Sequence, residues 1–90
     1  MSERFDAVRE EIALNDEAIV AAVNRRIALV TELWELKREL GLATVDPERE
    51  RRLRERLAGS SEGPLTPAGL DRLVTALLEL TKSELGAGQR

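Results

Sequence analysis

The chain has 90 residues, 17 acids against 14 bases, a net charge of −3, two aromatic residues, and neither cysteine nor histidine. That composition excludes disulfide staples, Cys/His zinc sites, a thiol nucleophile and an imidazole base. Its acidic balance and scarcity of aromatics argue against a nucleic-acid binder, and a chain this short buries little over ~60% of its unfolded surface, so a partner would add stability.

The start, Met1 to Arg9, is polar and has no signal-peptide pattern, and no apolar run approaches the ~20 residues of a membrane span. A single cytoplasmic domain over 1–90 is expected. From Phe5 to Leu40 the pattern is helical: Phe5, Val8, Ile12, Ile19, Val23, Val30 and Leu33 recur at steps of three, four and seven. This first helix is expected from Ser2 or Glu3 to Leu40, ended by Gly41. About 38 residues span ~57 Å, whereas a compact chain of this length has a radius of gyration near ~12 Å. One chain cannot cover both ends of such a rod. The simplest remedy is a homodimer in which two long helices lie along each other, with Trp34 packing at the interface.

Leu42 to Val45 form a short connection. Asp46 is a good N-cap, Pro47 suits the first helical position, and Glu48 favours the positive helix start. The second helix runs to about Ala58, with Leu53 and Leu57 inward. Gly59 to Pro64 read as a loop. Thr66-Pro67 repeats the cap-then-proline start, and the third helix carries Leu70, Leu73, Val74, Leu77, Leu78 and Leu85 on its apolar face, with Thr81 among them. Residues 86–90 are expected to be a flexible tail. No strand pattern or glycine-rich phosphate loop occurs, so the fold class is all-α with one long and two shorter helices.

The apolar stripe of the first helix lands on Asn15, Arg26 and Lys37. Arg26 and Lys37 are about three turns apart and project within roughly 20° of each other. Cations on a buried stripe call for anionic company, because an unpaired charge there costs several kcal/mol. Arg9 lies about 25 Å from Arg26 along the axis and roughly 100° around it. The two cannot meet on one helix, but in an antiparallel dimer Arg9 of one subunit reaches the middle of its partner's helix. Arg49, in the first turn of the second helix, would close such a pocket. Arginine grips carboxylates in a bidentate fork and lysine serves as a point donor. The set suits a dicarboxylate. With no covalent nucleophile beside it, catalysis would hold a reactive conformer and stabilise developing charge.

Val8-Arg9-Glu10-Glu11-Ile12, Asp16, Arg25-Arg26, Lys37 and Asp46-Pro47-Glu48-Arg49-Glu50 together resemble the all-helical chorismate mutase family, with family spacing across residues 5 to 57 and no required gap. The resemblance implies an intertwined three-helix homodimer that converts chorismate to prephenate by a Claisen rearrangement, with no cofactor and no metal. It implies that Arg26, and Arg9 from the partner subunit, bind carboxylates with help from Arg49. Lys37 would donate to the ether oxygen. Glu50 would accept from the ring hydroxyl, helped by the backbone near Asp46. Thr81 stands where the family has a serine near a carboxylate.

Leu85 departs from the pattern, standing where well-studied members carry a glutamine or glutamate that also contacts the ether oxygen. Losing one preorganised donor costs about 2.7–4 kcal/mol of transition-state stabilisation. Either Glu84 rotates in, or the free enzyme is slow. Leucine followed by glycine is similar to a small actinobacterial-type subclass, which implies activation by docking onto 3-deoxy-D-arabino-heptulosonate-7-phosphate synthase. Two enzymatic rivals share the scaffold. One is isochorismate-pyruvate lyase, which Glu50 disfavours, and the other is a mutase for 4-amino-4-deoxychorismate. From another class comes a non-catalytic helical adaptor whose cations serve a partner's acids. Taken singly, Arg26 reads as a snorkelling surface residue, Lys37 as a helix C-terminal charge, and Arg51, Arg52, Arg54 and Arg56 as a solvated face with i,i+4 pairs.

Overall fold

The computed structural model describes residues 2–88, in three helices. They are α1 (Glu3–Glu39), α2 (Pro47–Ser60) and α3 (Pro67–Gly88). Each start follows from local chemistry. The Ser2 side chain accepts from the Phe5 amide at 3.1 Å, Asp46 accepts from the Arg49 amide at 3.3 Å ahead of Pro47, and the Thr66 hydroxyl accepts from the Gly69 amide at 3.0 Å ahead of Pro67. All three side chains satisfy donors that a helix start leaves without intrahelical partners.

The end of α1 sets the direction of everything after it. Leu40 is the C-cap, and Gly41 follows at φ +70°. The Leu42 amide donates to the Lys37 carbonyl at 2.8 Å and the Gly41 amide to the Arg38 carbonyl at 3.1 Å, the two bonds of a Schellman turn. A Cβ at Gly41 would meet no atom within 4 Å, so only backbone strain opposes a side chain there. Gly41→Ala is therefore expected to destabilise the fold by about 1–2 kcal/mol, read as a lower urea midpoint at fixed protein concentration.

Helix α3 is the element that packs against both others. Among the described residues only Val74, Leu78 and Thr81 are buried, one stripe at i, i+4, i+7. Leu73, expected on this face, is instead exposed, because it lies about 100° around the helix from Val74. Two further boundaries differ from expectation. Helix α2 continues two residues past Ala58 to Ser60, and α3 continues through Gly86 to Gly88. The expected tail is thus helical over 86–88, and the remainder of it, Gln89 and Arg90, lies outside the described residues. Arg54 also departs from its expected role. Rather than pairing along its own helix, it donates to Asp71 at 2.8 Å and to the Thr75 hydroxyl at 2.9 Å, clamping α2 onto α3. Arg51 does behave as expected, pairing with Glu48 and Glu55 on the open face.

The chain's longest dimension is 58 Å and its radius of gyration is 16.8 Å, well above the ~12 Å of a compact chain of this length. The excess is the first half of α1. Phe5, Val8, Ile12, Leu14, Ile19 and Val20 are all 36–60% exposed, whereas Val23, Ile27, Val30, Leu33 and Trp34 are half-buried. No helix among the described residues is long and apolar enough to cross a membrane.

Candidate active site

A cleft opens between α1, the 42–46 connector, the start of α2 and α3. Its walls are Arg26, Val30 and Trp34 from α1; Thr44, Val45 and Asp46 from the connector; Arg49 and Glu50 from α2; and Leu78, Thr81 and Lys82 from α3. Its enclosed volume is about 30 Å³, and the rest of the cleft is open to solvent. The Val30, Trp34, Val45 and Leu78 side chains make an apolar lining on which seven polar or charged residues converge, a cleft more charged than the usual small-molecule site.

The polar groups are held by their own helices. Arg26 leaves the half-buried stretch of α1 and donates to the Thr81 hydroxyl and, at 3.4 Å, to the Leu77 carbonyl. Thr81 in turn donates to the Leu77 carbonyl at 2.8 Å. Its side chain thus bonds back to its own helix and also meets the arginine. Arg49 sits in the first turn of α2, close enough for its charge to be felt at Arg26. Burial first, and the Arg49 charge second, hold the Arg26 guanidinium below the ordinary arginine range. Neither arginine forms an ion pair with a carboxylate among the described residues. Two cations packed side by side in a partly apolar cleft are an arrangement that a multiply charged anion would relieve.

The two cleft carboxylates have different duties. Asp46 caps α2, while the Glu50 side chain, 21% exposed, pairs with Lys82 Nζ at 2.8 Å. Lys82 was not foreseen among the site residues. The available signal was slight: it is one of two cations on α3, and its partner is 32 positions away in the chain. Trp34, expected at a subunit interface, lines the cleft.

Four anticipated residues stand apart from these walls. Lys37 lies on the far side of the connector, where its Nζ donates to the Thr44 carbonyl at 3.1 Å. Since Thr44 is itself a wall residue, the ammonium is one residue removed from the cleft. Leu85 is half-buried, one turn beyond Thr81, and Glu84 is exposed. Arg9 is on the exposed half of α1 with its guanidinium 5.4 Å from the centroid of the Phe5 ring, a cation–π contact remote from the cleft of its own chain.

Residues 8–84 match the family model of chorismate mutase type II. Among solved structures the chain is similar to chorismate mutase from Thermus thermophilus. It matches Form I at 29% identity over 88% of this chain and 99% of that one, with a TM-score of 0.83. It matches Form II at 28% identity over 90% and 92%, with a TM-score of 0.84. No curated sequence matches the chain. Because the family match spans the half-buried part of α1, the connector, α2 and the buried stripe of α3, and so every wall of the cleft, the chain belongs to the chorismate mutase type II family.

Proposed function

We propose that this protein is a cytoplasmic chorismate mutase that works as an interlocked homodimer, rearranging chorismate to prephenate without a covalent intermediate. The observation that carries the reading is the convergence of Arg26 and Arg49 from different helices on one cleft, neither of them ion-paired with a carboxylate among the described residues. One carboxylate of a dicarboxylate offsets that pair's charge, and the other is left for a further cation. In the Claisen step the ether carbon–oxygen bond breaks as a carbon–carbon bond forms within one molecule. The protein therefore has to hold the folded conformer and stabilise charge growing on the ether oxygen.

The assignments follow the cleft. Arg26 takes one carboxylate, with Arg49 and Thr81 beside it. Arg9 of the partner subunit takes the other, which accounts for an arginine on a half-helix that its own chain leaves uncovered. Lys37 turns from the Thr44 carbonyl to donate to the ether oxygen. Glu50 accepts from the ring hydroxyl near the Asp46 backbone. Leu85 offers no donor, so the isolated enzyme is slow, and docking of a 3-deoxy-D-arabino-heptulosonate-7-phosphate synthase raises its rate. Purified protein should consume chorismate, followed by loss of absorbance, with prephenate as sole product. An absence of turnover both alone and with the cognate synthase would refute the reading. Full speed alone, unchanged by the synthase, would remove the partner from it.

A further inference from the structure

Glu50 is the cleft carboxylate left to face a ligand, because Asp46 is engaged in capping α2. It does not stand alone. Lys82, one residue past Thr81 on α3, lines the same cleft and places Nζ 2.8 Å from Glu50 Oε1. The glutamate end of this pair is mostly shielded from solvent at 21% exposure, so the pair is screened less than a surface ion pair of the same length. A carboxylate with an ammonium already on one oxygen can still accept a hydrogen bond from a neutral hydroxyl on the other. A second cation brought to the same carboxylate would lie within a few ångströms of Lys82, with Arg26 and Arg49 also lining the cleft, and would be repelled.

We propose that Lys82 is a specificity-determining residue: by occupying Glu50 it selects a substrate with a hydroxyl at the position facing that carboxylate over one with a protonated amine there. The inference rests on the proposed function, in which Glu50 faces the ring hydroxyl. Without Lys82, Glu50 would be an unpaired anion, well suited to an ammonium and less selective.

The test compares chorismate with 4-amino-4-deoxychorismate, reading both kcat/KM and the dissociation constant by calorimetry. Turnover of chorismate by the unaltered protein tests the function, while the ratio between the two ligands tests Lys82 even where turnover is slow. Lys82→Met and Lys82→Gln should each shift the ratio toward the amine by about tenfold. Lys82→Arg, which keeps the charge, should leave it within about twofold. Lys82 is 45% exposed, so the neutral variants should retain the helical content of the parent. Equal changes for both ligands in the neutral variants, or a shift in Lys82→Arg as large as theirs, would overturn the proposal.

Discussion

Replacing Arg26 by alanine should lower kcat/KM for chorismate about 30- to 5,000-fold while leaving helicity intact and the urea midpoint little changed. The two effects differ in size for one reason. Arg26 is a cation held where burial and the neighbouring Arg49 both disfavour its charge. The fold gains from it the hydrogen bonds to the Thr81 hydroxyl and the Leu77 carbonyl, and truncation removes these together with that penalty. Nor does truncation orphan a polar group, since the Thr81 hydroxyl keeps its bond to the Leu77 carbonyl at 2.8 Å. Substrate binding depends on the same charge. A charge-assisted fork on a carboxylate in a partly apolar cleft is worth about 2–5 kcal/mol when one partner is removed, and any share realised only in the transition state appears in kcat. Steady-state kinetics beside urea titrations separate the two effects. Unchanged turnover would take Arg26 out of the mechanism, and a collapse of helicity would show it to be a structural residue instead.

Mixing two dead variants should restore activity. Under the proposed homodimer each site takes Arg26 from one subunit and Arg9 from the other. A dimer of one Arg9→Ala chain and one Arg26→Ala chain therefore holds one intact site and one doubly deficient site. Random exchange of equal amounts makes about half the dimers mixed, so about a quarter of the parental sites return. Recovery should require unfolding and refolding together, or long incubation, because the interlocked helices must separate before they exchange. The structural motive for the dimer is the first half of α1, whose six large apolar side chains from Phe5 to Val20 are 36–60% exposed. Covering a buried aliphatic residue is worth about 1.5–3 kcal/mol. A helix with a bare apolar stripe of Phe5, Val8, Ile12 and Ile19 has strong reason to find its own kind. No recovery from co-refolded mixtures, with each parent variant shown to be dimeric, would eliminate the shared site.

The helices were legible because their determinants are local. Ser2, Asp46-Pro47 and Thr66-Pro67 announce starts through side chains that bond amides three residues away. Gly41 marks a stop because the turn after α1 needs a positive φ. The candidate cations of α1 were legible for a related reason: helical geometry alone puts Arg26 and Lys37 on the apolar stripe, where a charge has to be explained. Arg49 and Glu50 were readable through the motif around the α2 start.

What chain order could not decide was everything that depends on how helices cross. The approach of α3 to both other helices turns Arg54 toward Asp71 and Thr75 rather than along its own helix. It also puts Trp34 in the cleft wall, leaves Leu73 outside, and brings Lys82 to Glu50. The Schellman turn places the Thr44 carbonyl under Lys37 and so parks that ammonium behind the connector. By itself, then, the order of residues determined where each helix begins and where α1 stops, since those choices are made within one turn of backbone. Which charged groups meet was decided only by the packing of α3, because side chains dozens of positions apart become neighbours through a crossing angle that no local pattern encodes.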